Sequence, residues 1–300
     1  MTASRKVADR VAELISQRRP FVQATVVRAQ CPTSARPGDA AVVAADGSIE
    51  GFIGGQCAEE SVRTTALDVL ATGEPVLLRI LPDDGVAFPE SPGAQTVVNP
   101  CLSGGAIEVY LEPKLPSPRL CLVGATPITE ALSALGPQLG FEVLPSGNAV
   151  VDPRGASAVI IASHGRFEHD SIRAALDEGV GFIGLVASSV RGAAVLDELG
   201  LSVAERSVVH SPVGLHIGAR TAEEIAVSIL ADVIRAIRLE GLEPAKTADI
   251  QRPATAIDPM CGMTVTVIDT TPHLRHDEVD YWYCNPGCRT RHAEELAATP

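Results

Sequence analysis

From Leu120 onward, four short apolar runs recur: Leu120–Val123, Phe141–Leu144, Ala158–Ala162 and Phe182–Val186. Helical periodicity fills or follows the gaps, at about 128–139, 168–178 and 190–199. Such repetition restricts the chain to a parallel sheet with crossover helices, because parallel neighbours need a connection long enough to return along the sheet. A longer helix starts after Thr221, whose hydroxyl caps it while Glu224 completes a capping box. Its inward face is Ile225, Ile229, Val233 and Ile237. The sheet is expected to be Rossmann-like, yet NAD binding is not expected. After the first strand comes Gly124-Ala-Thr-Pro-Ile-Thr129, which keeps one glycine of Gly-x-Gly-x-x-Gly, and Pro127 suits a first helical turn better than a phosphate cradle. The second strand runs into Pro145 and Ser146, with no acidic residue for a ribose hydroxyl. His164 lies just past a strand end, where ligands enter such sheets, and is either a ligand contact or a solvent-facing loop residue. His210 and His216 flank a Pro212-Val-Gly-Leu215 turn, and Gly218-Ala-Arg220 before the Thr221 cap is an alternative oxyanion site.

Before this alternating half, Pro113, Pro116 and Pro118 mark a stiff linker. The preceding residues read as an α+β domain. Val7, Val11, Leu14 and Ile15 predict a helix over 4–18, Phe21–Ala29 reads as a strand, and Ala40–Ala45 and Ile49–Ile53 form a hairpin about Asp46-Gly47. A helix over Glu59–Ala71 ends at Gly73, and Val76–Leu81, Gln95–Val98 and Ala106–Leu111 are further strands. Past Leu239 the chain becomes poor in large apolar residues over Gly241–Ala256, as a flexible tether does, and then reaches a cysteine-bearing tail. The fold class is therefore α/β, in three parts: an α+β domain over 1–113, a Rossmann-like domain over 119–240 and a small module over 257–300.

Composition narrows the function. A net charge of −13 argues against general affinity for nucleic acid or an anionic membrane, and no apolar run is long enough to span one. Seven cysteines make an odd number for a disulfide framework, and the first ten residues lack a secretory h-region. The expected location is the cytoplasm, with the thiols reduced.

Those thiols carry the chemistry. In Gly51-Phe-Ile-Gly-Gly-Gln-Cys57, Gly54 and Gly55 permit a tight turn and close approach of a ligand, and Cys57 sits where a helix begins. Unpaired N–H groups there lower a thiol pKa and attract anions. The loop Asn99-Pro-Cys-Leu-Ser-Gly-Gly105 repeats the ingredients with Cys101, Gly104 and Gly105, and Cys31-Pro-Thr-Ser-Ala-Arg36 adds Arg36. The set suits an anionic, sulfur-loving ligand; the plainer alternative is that Cys57 and Cys101 are small buried hydrophobes near turns. In the tail, Cys261, Cys284 and Cys288 are spaced to converge on one soft metal ion, which would stabilise a segment too short to fold well alone.

The tail, Asp258-Pro-Met-Cys-Gly-Met263 followed by Tyr281-Trp-Tyr-Cys-Asn-Pro-Gly-Cys288, resembles the YHS family over roughly 257–296. Where that family has Phe, this chain has His292, one helical turn past Cys288. His292 is the candidate fourth ligand for zinc or copper, with His273 and His276 as competitors; otherwise it caps an exposed helix. Residues 5–237 resemble the xanthine dehydrogenase accessory (XdhC/CoxI) family. The matching segments are Gly51-Phe-Ile-Gly-Gly-Gln-Cys-Ala-Glu59, Cys101-Leu-Ser-Gly-Gly105 and Ser211-Pro-Val-Gly-Leu-His-Ile-Gly-Ala-Arg-Thr221. The first loop departs from the family's Gly-Ser-x-Pro-Arg-x-x-Gly-Ala, keeping Arg36 but placing Ala35 and Asp39 where Pro and Gly are usual.

The resemblance implies a chaperone that binds the molybdenum cofactor (molybdopterin), protects it and supports its sulfuration by a cysteine desulfurase. It would then insert the cofactor into a molybdenum hydroxylase apoenzyme of the xanthine or carbon monoxide dehydrogenase type. Cys57 and Cys101 would contact the cofactor or handle its sulfur, and Gly54, Gly55, Gly104 and Gly105 would admit the pterin. Family members suggest a homodimer, for which the apolar face of the helix after Thr221 would serve as readily as for a core. The expectation is an accessory protein rather than a turnover enzyme. The alternatives are a metallochaperone or metal sensor acting through the tail, and a nicotinamide oxidoreductase or sulfurtransferase.

Overall fold

The computed structural model describes residues 3–82, 89–99, 105–242 and 253–298. The chain falls into two units, one made of Met1–Pro116 with Ile250–Pro300 and the other of Ser117–Asp249.

The first unit opens with α1 (Ala3–Ser16), β1 (Phe21–Gln30), β2 (Ala40–Ala44), β3 (Ile49–Gly51), α2 (Gln56–Thr72), β4 (Val76–Leu81), β5 (Gln95–Val98) and β6 (Ala106–Lys114). The strands form one sheet in the order β3-β2-β1-β6-β4-β5. Alternation sorts their side chains: Val22, Ala24, Ala41 and Val43 join the core under α2, while Phe21 and Val42 pack with Val7 and Leu14 of α1 on the other face. The expected hairpin at Asp46-Gly47 is present as an antiparallel β2–β3 pair. Gly73 ends α2 in the left-handed conformation and returns its N–H to Val69. β6 runs through Pro113, so the proline-rich linker begins later than the sequence suggests. Past Leu111 its pairing with β4 has ended and only β1 lies alongside, which leaves room for a residue without an N–H.

The second unit contains β7 (Arg119–Val123), α3 (Pro127–Leu135), β8 (Glu142–Gly147), β9 (Ala158–Ile161), α4 (Glu168–Asp177), β10 (Ile183–Leu185), α5 (Ser189–Leu199), α6 (Val203–Ser207), β11 (Val209–His210) and α7 (Ala222–Leu239). All its strand pairs are parallel, in the order β11-β10-β9-β7-β8. This is the doubly wound arrangement with its switch point between β7 and β9. Leu120, Leu122 and Ile160 face α3 and α7, while Cys121, Val123 and Val159 face α4 and α5. The expected capping box of Thr221 and Glu224 is formed, and Ile229 and Val233 of α7 are fully buried in this core. The helix expected over 128–139 stops at Leu135 and finishes as a single 3-10 turn, and the short α6 and β11 carry too few residues to show periodicity.

The chain then returns to the first unit as β12 (Thr255–Ile257), β13 (Thr264–Thr266), β14 (His273–His276), β15 (Val279–Trp282) and α8 (Pro286–Ala298). Of the expected tether, residues 243–252 lie outside the described residues. The β12–β13 pair docks on α2: the buried Glu60 carboxylate accepts the Thr266 N–H and is paired with Arg63, and Thr64 and Thr266 hydroxyls lie 3.3 Å apart. No helix among the described residues is long and apolar enough to cross a membrane.

Candidate functional site

After β3 the backbone turns at Gly54, which lies in the left-handed region at φ +131°. Gly55 then occupies the N-cap of α2, with no side chain to cap the helix and nothing within 4 Å of where a Cβ would stand. Cys57 falls in the first helical turn, beside the open N–H groups and positive dipole end that such a terminus presents. Behind it is Asn99, only 3% exposed, whose Nδ2 donates to the Cys57 carbonyl at 2.8 Å and to Ser61 Oγ at 3.2 Å. Those bonds orient the amide, and its Oδ1 is left buried without a hydrogen-bond partner.

Gly55, Cys57 and Asn99 line a cavity of about 370 Å3, together with Thr33, Ser34 and Gly105, whereas Gly54 does not line it. A Cβ on Gly105 would stand 2.0 Å from the Pro32 carbonyl oxygen, so glycine is what lets these two loops touch. The opposite wall is the C-terminal segment, which contributes Met260, Cys261, Met263, Cys284, Cys288 and Arg291. Of the chain's seven cysteines and three methionines, six line this one cavity, so sulfur is its dominant chemistry.

The sulfurs are closely set. Cys261 Sγ lies 3.6 Å from Cys284 Sγ, which lies 3.8 Å from Cys288 Sγ. Asn285 caps α8, its Oδ1 accepting the Cys288 N–H at 3.1 Å. Its Nδ2 sits 3.1 Å from Cys284 Sγ, 3.3 Å from Cys57 Sγ and 3.5 Å from Cys288 Sγ. Asp258, fully buried, accepts the Met260 N–H through Oδ1 and the Cys284 N–H through Oδ2, both at 2.8 Å. Burial opposes its ionisation, but the N–H groups of Cys284 and Met260 hold its pKa below the ordinary carboxylate value. The thiols move the other way. Burial pushes Cys261 up to about 11 and raises Cys288, while a hydrogen bond with Cys57, then burial, raises Cys284. A bound metal ion would displace the protons of thiols so placed to solvent and supply the missing positive charge.

Asp258, Cys261, Cys284 and Cys288 present ligand atoms within 4.8 Å of one another. The carboxylate thus stands where His292 was expected. His292 Nδ1 instead meets the Tyr283 hydroxyl at 2.7 Å, because that fully buried phenol needs a partner, and its ring lies edge-on to Tyr281. His273 is paired with Asp280 and lies tilted against Trp282, and His276 is paired with Asp277. Arg36 is exposed and does not line the cavity; its backbone N–H donates to Asp39. Cys101 and Gly104 lie outside the described residues. Asn99, Asn285 and Asp258 are site residues that the sequence alone does not single out. Signals for them exist, since Asn99 and Asn285 each precede a proline and lie within two residues of a cysteine, and Asp258 opens the Asp-Pro-Met-Cys run.

The second unit gathers no comparable cluster among its described residues. A Cβ on Gly124 would stand 2.2 Å from the Ala162 carbonyl oxygen, so the loops after β7 and β9 approach closely at the switch point. The first turn of α3 has no donor on Pro127, and the Thr129 N–H is taken by Thr126 Oγ1. His164 and His216 are exposed, and His210 stacks on Phe182 with ring centroids 4.1 Å apart.

A model of the XdhC and CoxI family matches residues 14–80, and a model of the XdhC Rossmann domain matches residues 120–233. The uncharacterized protein YqeB of Escherichia coli K12 is 30% identical over 253 residues, which covers 75% of this chain and 45% of that protein. A probable xanthine dehydrogenase subunit of Bacillus subtilis is 29% identical over 147 residues, 40% of this chain and 43% of that protein. The chain therefore spans less than half the length of these two relatives. A crystal structure of a xanthine dehydrogenase from Bacillus halodurans superposes with a TM-score of 0.39 at 18% identity, covering 83% of this chain and 98% of that one.

Proposed function

The chain belongs to the XdhC and CoxI family, and from that premise we propose that it is a maturation factor that carries molybdenum cofactor to a molybdenum hydroxylase apoenzyme. The observation that carries this reading is the sulfur-lined cavity with an orphaned acceptor, Asn99 Oδ1. Its volume of about 370 Å3 lies within the range of small-molecule sites, about 300–1,000 Å3. A buried carbonyl oxygen without a donor costs about 1–3 kcal/mol, and pterin N–H groups are donors of the kind it lacks. Gly55 leaves the start of α2 open to a phosphate, and Arg291 adds a cation to the same cavity. Thiols of Cys57 and its neighbours are apt partners for a sulfur-ligated molybdenum, and a cysteine desulfurase would deliver sulfur to the bound form. The cofactor itself supplies redox chemistry to the client enzyme. This chain's part is to bind it, exclude water and hold sulfur ligands in place.

The measurement is molybdenum and pterin content of the full chain purified from a host that makes the cofactor, as wild type and as Cys57→Ala. Both should be present in the wild type and fall at least tenfold in the variant. A second reading, a metallochaperone or metal sensor using zinc or copper, is favoured by the 3.6 and 3.8 Å sulfur spacings. Bound zinc or copper with no pterin in either protein, even when cofactor is supplied, would sink the carrier reading in favour of that one.

A further inference from the structure

We infer that Cys57 is the fourth sulfur of a tetrahedral metal site whose other ligands are Cys261, Cys284 and Cys288, so that one zinc-like ion ties the C-terminal segment to the first turn of α2. The inference does not depend on the molybdenum reading. A tetrahedral ion with metal–sulfur bonds of about 2.3 Å holds its sulfurs about 3.8 Å apart. The Cys261–Cys284 and Cys284–Cys288 spacings, 3.6 and 3.8 Å, match that requirement.

Cys57 lies beside this group, whose mutually close ligand atoms are those of Asp258, Cys261, Cys284 and Cys288. Cys57 Sγ shares the Asn285 amide with Cys284 and Cys288, although 228 residues separate it from Asn285. That nitrogen has two hydrogens for three sulfurs, so the cluster has more acceptors than the amide can serve. An ion among the sulfurs would turn the amide's contacts into N–H···S bonds to thiolates.

Asp258 is the competing fourth ligand, with an oxygen within 4.8 Å of the three sulfurs; it already accepts the Met260 and Cys284 N–H groups and is a harder donor than sulfur for a soft ion. It holds the two cysteine-bearing turns at ligand spacing, which makes it a positioning residue. On binding a divalent ion, four thiols release four protons to solvent and no electron moves. The resulting double negative charge lies at two helix N-termini, because Cys57 is in the first turn of α2 and Cys288 in the first turn of α8.

The test uses the full chain reconstituted with zinc, and separately with cobalt(II). X-ray absorption at the zinc edge should give four sulfurs at about 2.3 Å. In the cobalt form, Cys57→Ser should lower the thiolate-to-metal charge-transfer absorption by about a quarter, one thiolate in four, while Cys31→Ser leaves it unchanged. Three sulfurs with one oxygen in the wild type, equal cobalt spectra for wild type and Cys57→Ser, or no retained zinc would each overturn the inference. The wild-type X-ray measurement decides even if Cys57→Ser does not fold. None of these readouts involves pterin, so failure here leaves the cofactor reading to its own test.

Discussion

Single side chains show how burial and partners set chemistry. His210 is half-buried on the face of Phe182, and burial holds its pKa below the ordinary 6.5, although Asp232 and Glu240 pull it upward and Arg235 pushes it down. The folded imidazole is therefore neutral at pH values where the unfolded one takes up a proton. Its contribution to stability is intact above about 6.5, is lost as pH falls through that value, and levels off below the folded pKa. One such group changes stability by at most about 1.4 kcal/mol per pH unit. Hydrogen-exchange protection of β9 and β10 should fall between about pH 7.5 and 5 in the wild type and fall less steeply in His210→Phe. Identical slopes would show that other groups govern the acid response. Such residue-scale facts are only half legible in sequence. Helical spacing correctly places Cys288 and His292 a turn apart, but no local pattern says that the buried Tyr283 hydroxyl claims the histidine.

At the scale of elements, local rules predict well where they act locally. The β2–β3 hairpin, the Gly73 stop and the Thr221 capping box follow from two to five adjacent residues, and each stands in the structure. Pro113 misleads because its tolerance depends on which neighbour strand has already ended, which is a tertiary fact. Gly124 misleads more deeply. It reads as the remnant of a phosphate loop, whereas its role is to admit the Ala162 carbonyl at a distance no Cβ allows. α2 is the element on which the site turns, since it carries Cys57 at its start and Glu60 one turn later. Replacing Glu60 with Ala would leave the mostly buried Arg63 without its counter-charge and the Thr266 N–H without an acceptor. Breaking a buried pair in this way costs about 3–5 kcal/mol. Amides of residues 255–266 should exchange faster in Glu60→Ala while those of β9 and β10 stay unchanged; unaltered exchange over 255–266 would mean that Glu60 does not hold the docked hairpin.

For the whole molecule, the informative fact is where the C-terminal segment sits. Its sequence reads as a separate module because its cysteines are close together and the stretch before it is poor in apolar residues. Nothing in a linear pattern signals that Glu60 will meet Thr266 across 206 residues, or that Asn285 will reach Cys57. The consequence is functional. If Cys57 serves both the proposed metal site and the proposed cofactor site, the two ligands cannot hold it at once, and binding at one is lowered by binding at the other. The full chain loaded with cofactor should therefore lose pterin as zinc is titrated to one equivalent, and a chelator should restore the capacity to rebind it. In a variant with Cys261, Cys284 and Cys288 all changed to Ser, pterin loading should persist and no longer respond to zinc, because Cys57 alone cannot hold the ion. Pterin content that is indifferent to zinc in the wild type would separate the two sites. The thiol of Cys57 would then belong to one of them only, and the spectra of Cys57→Ser would say which.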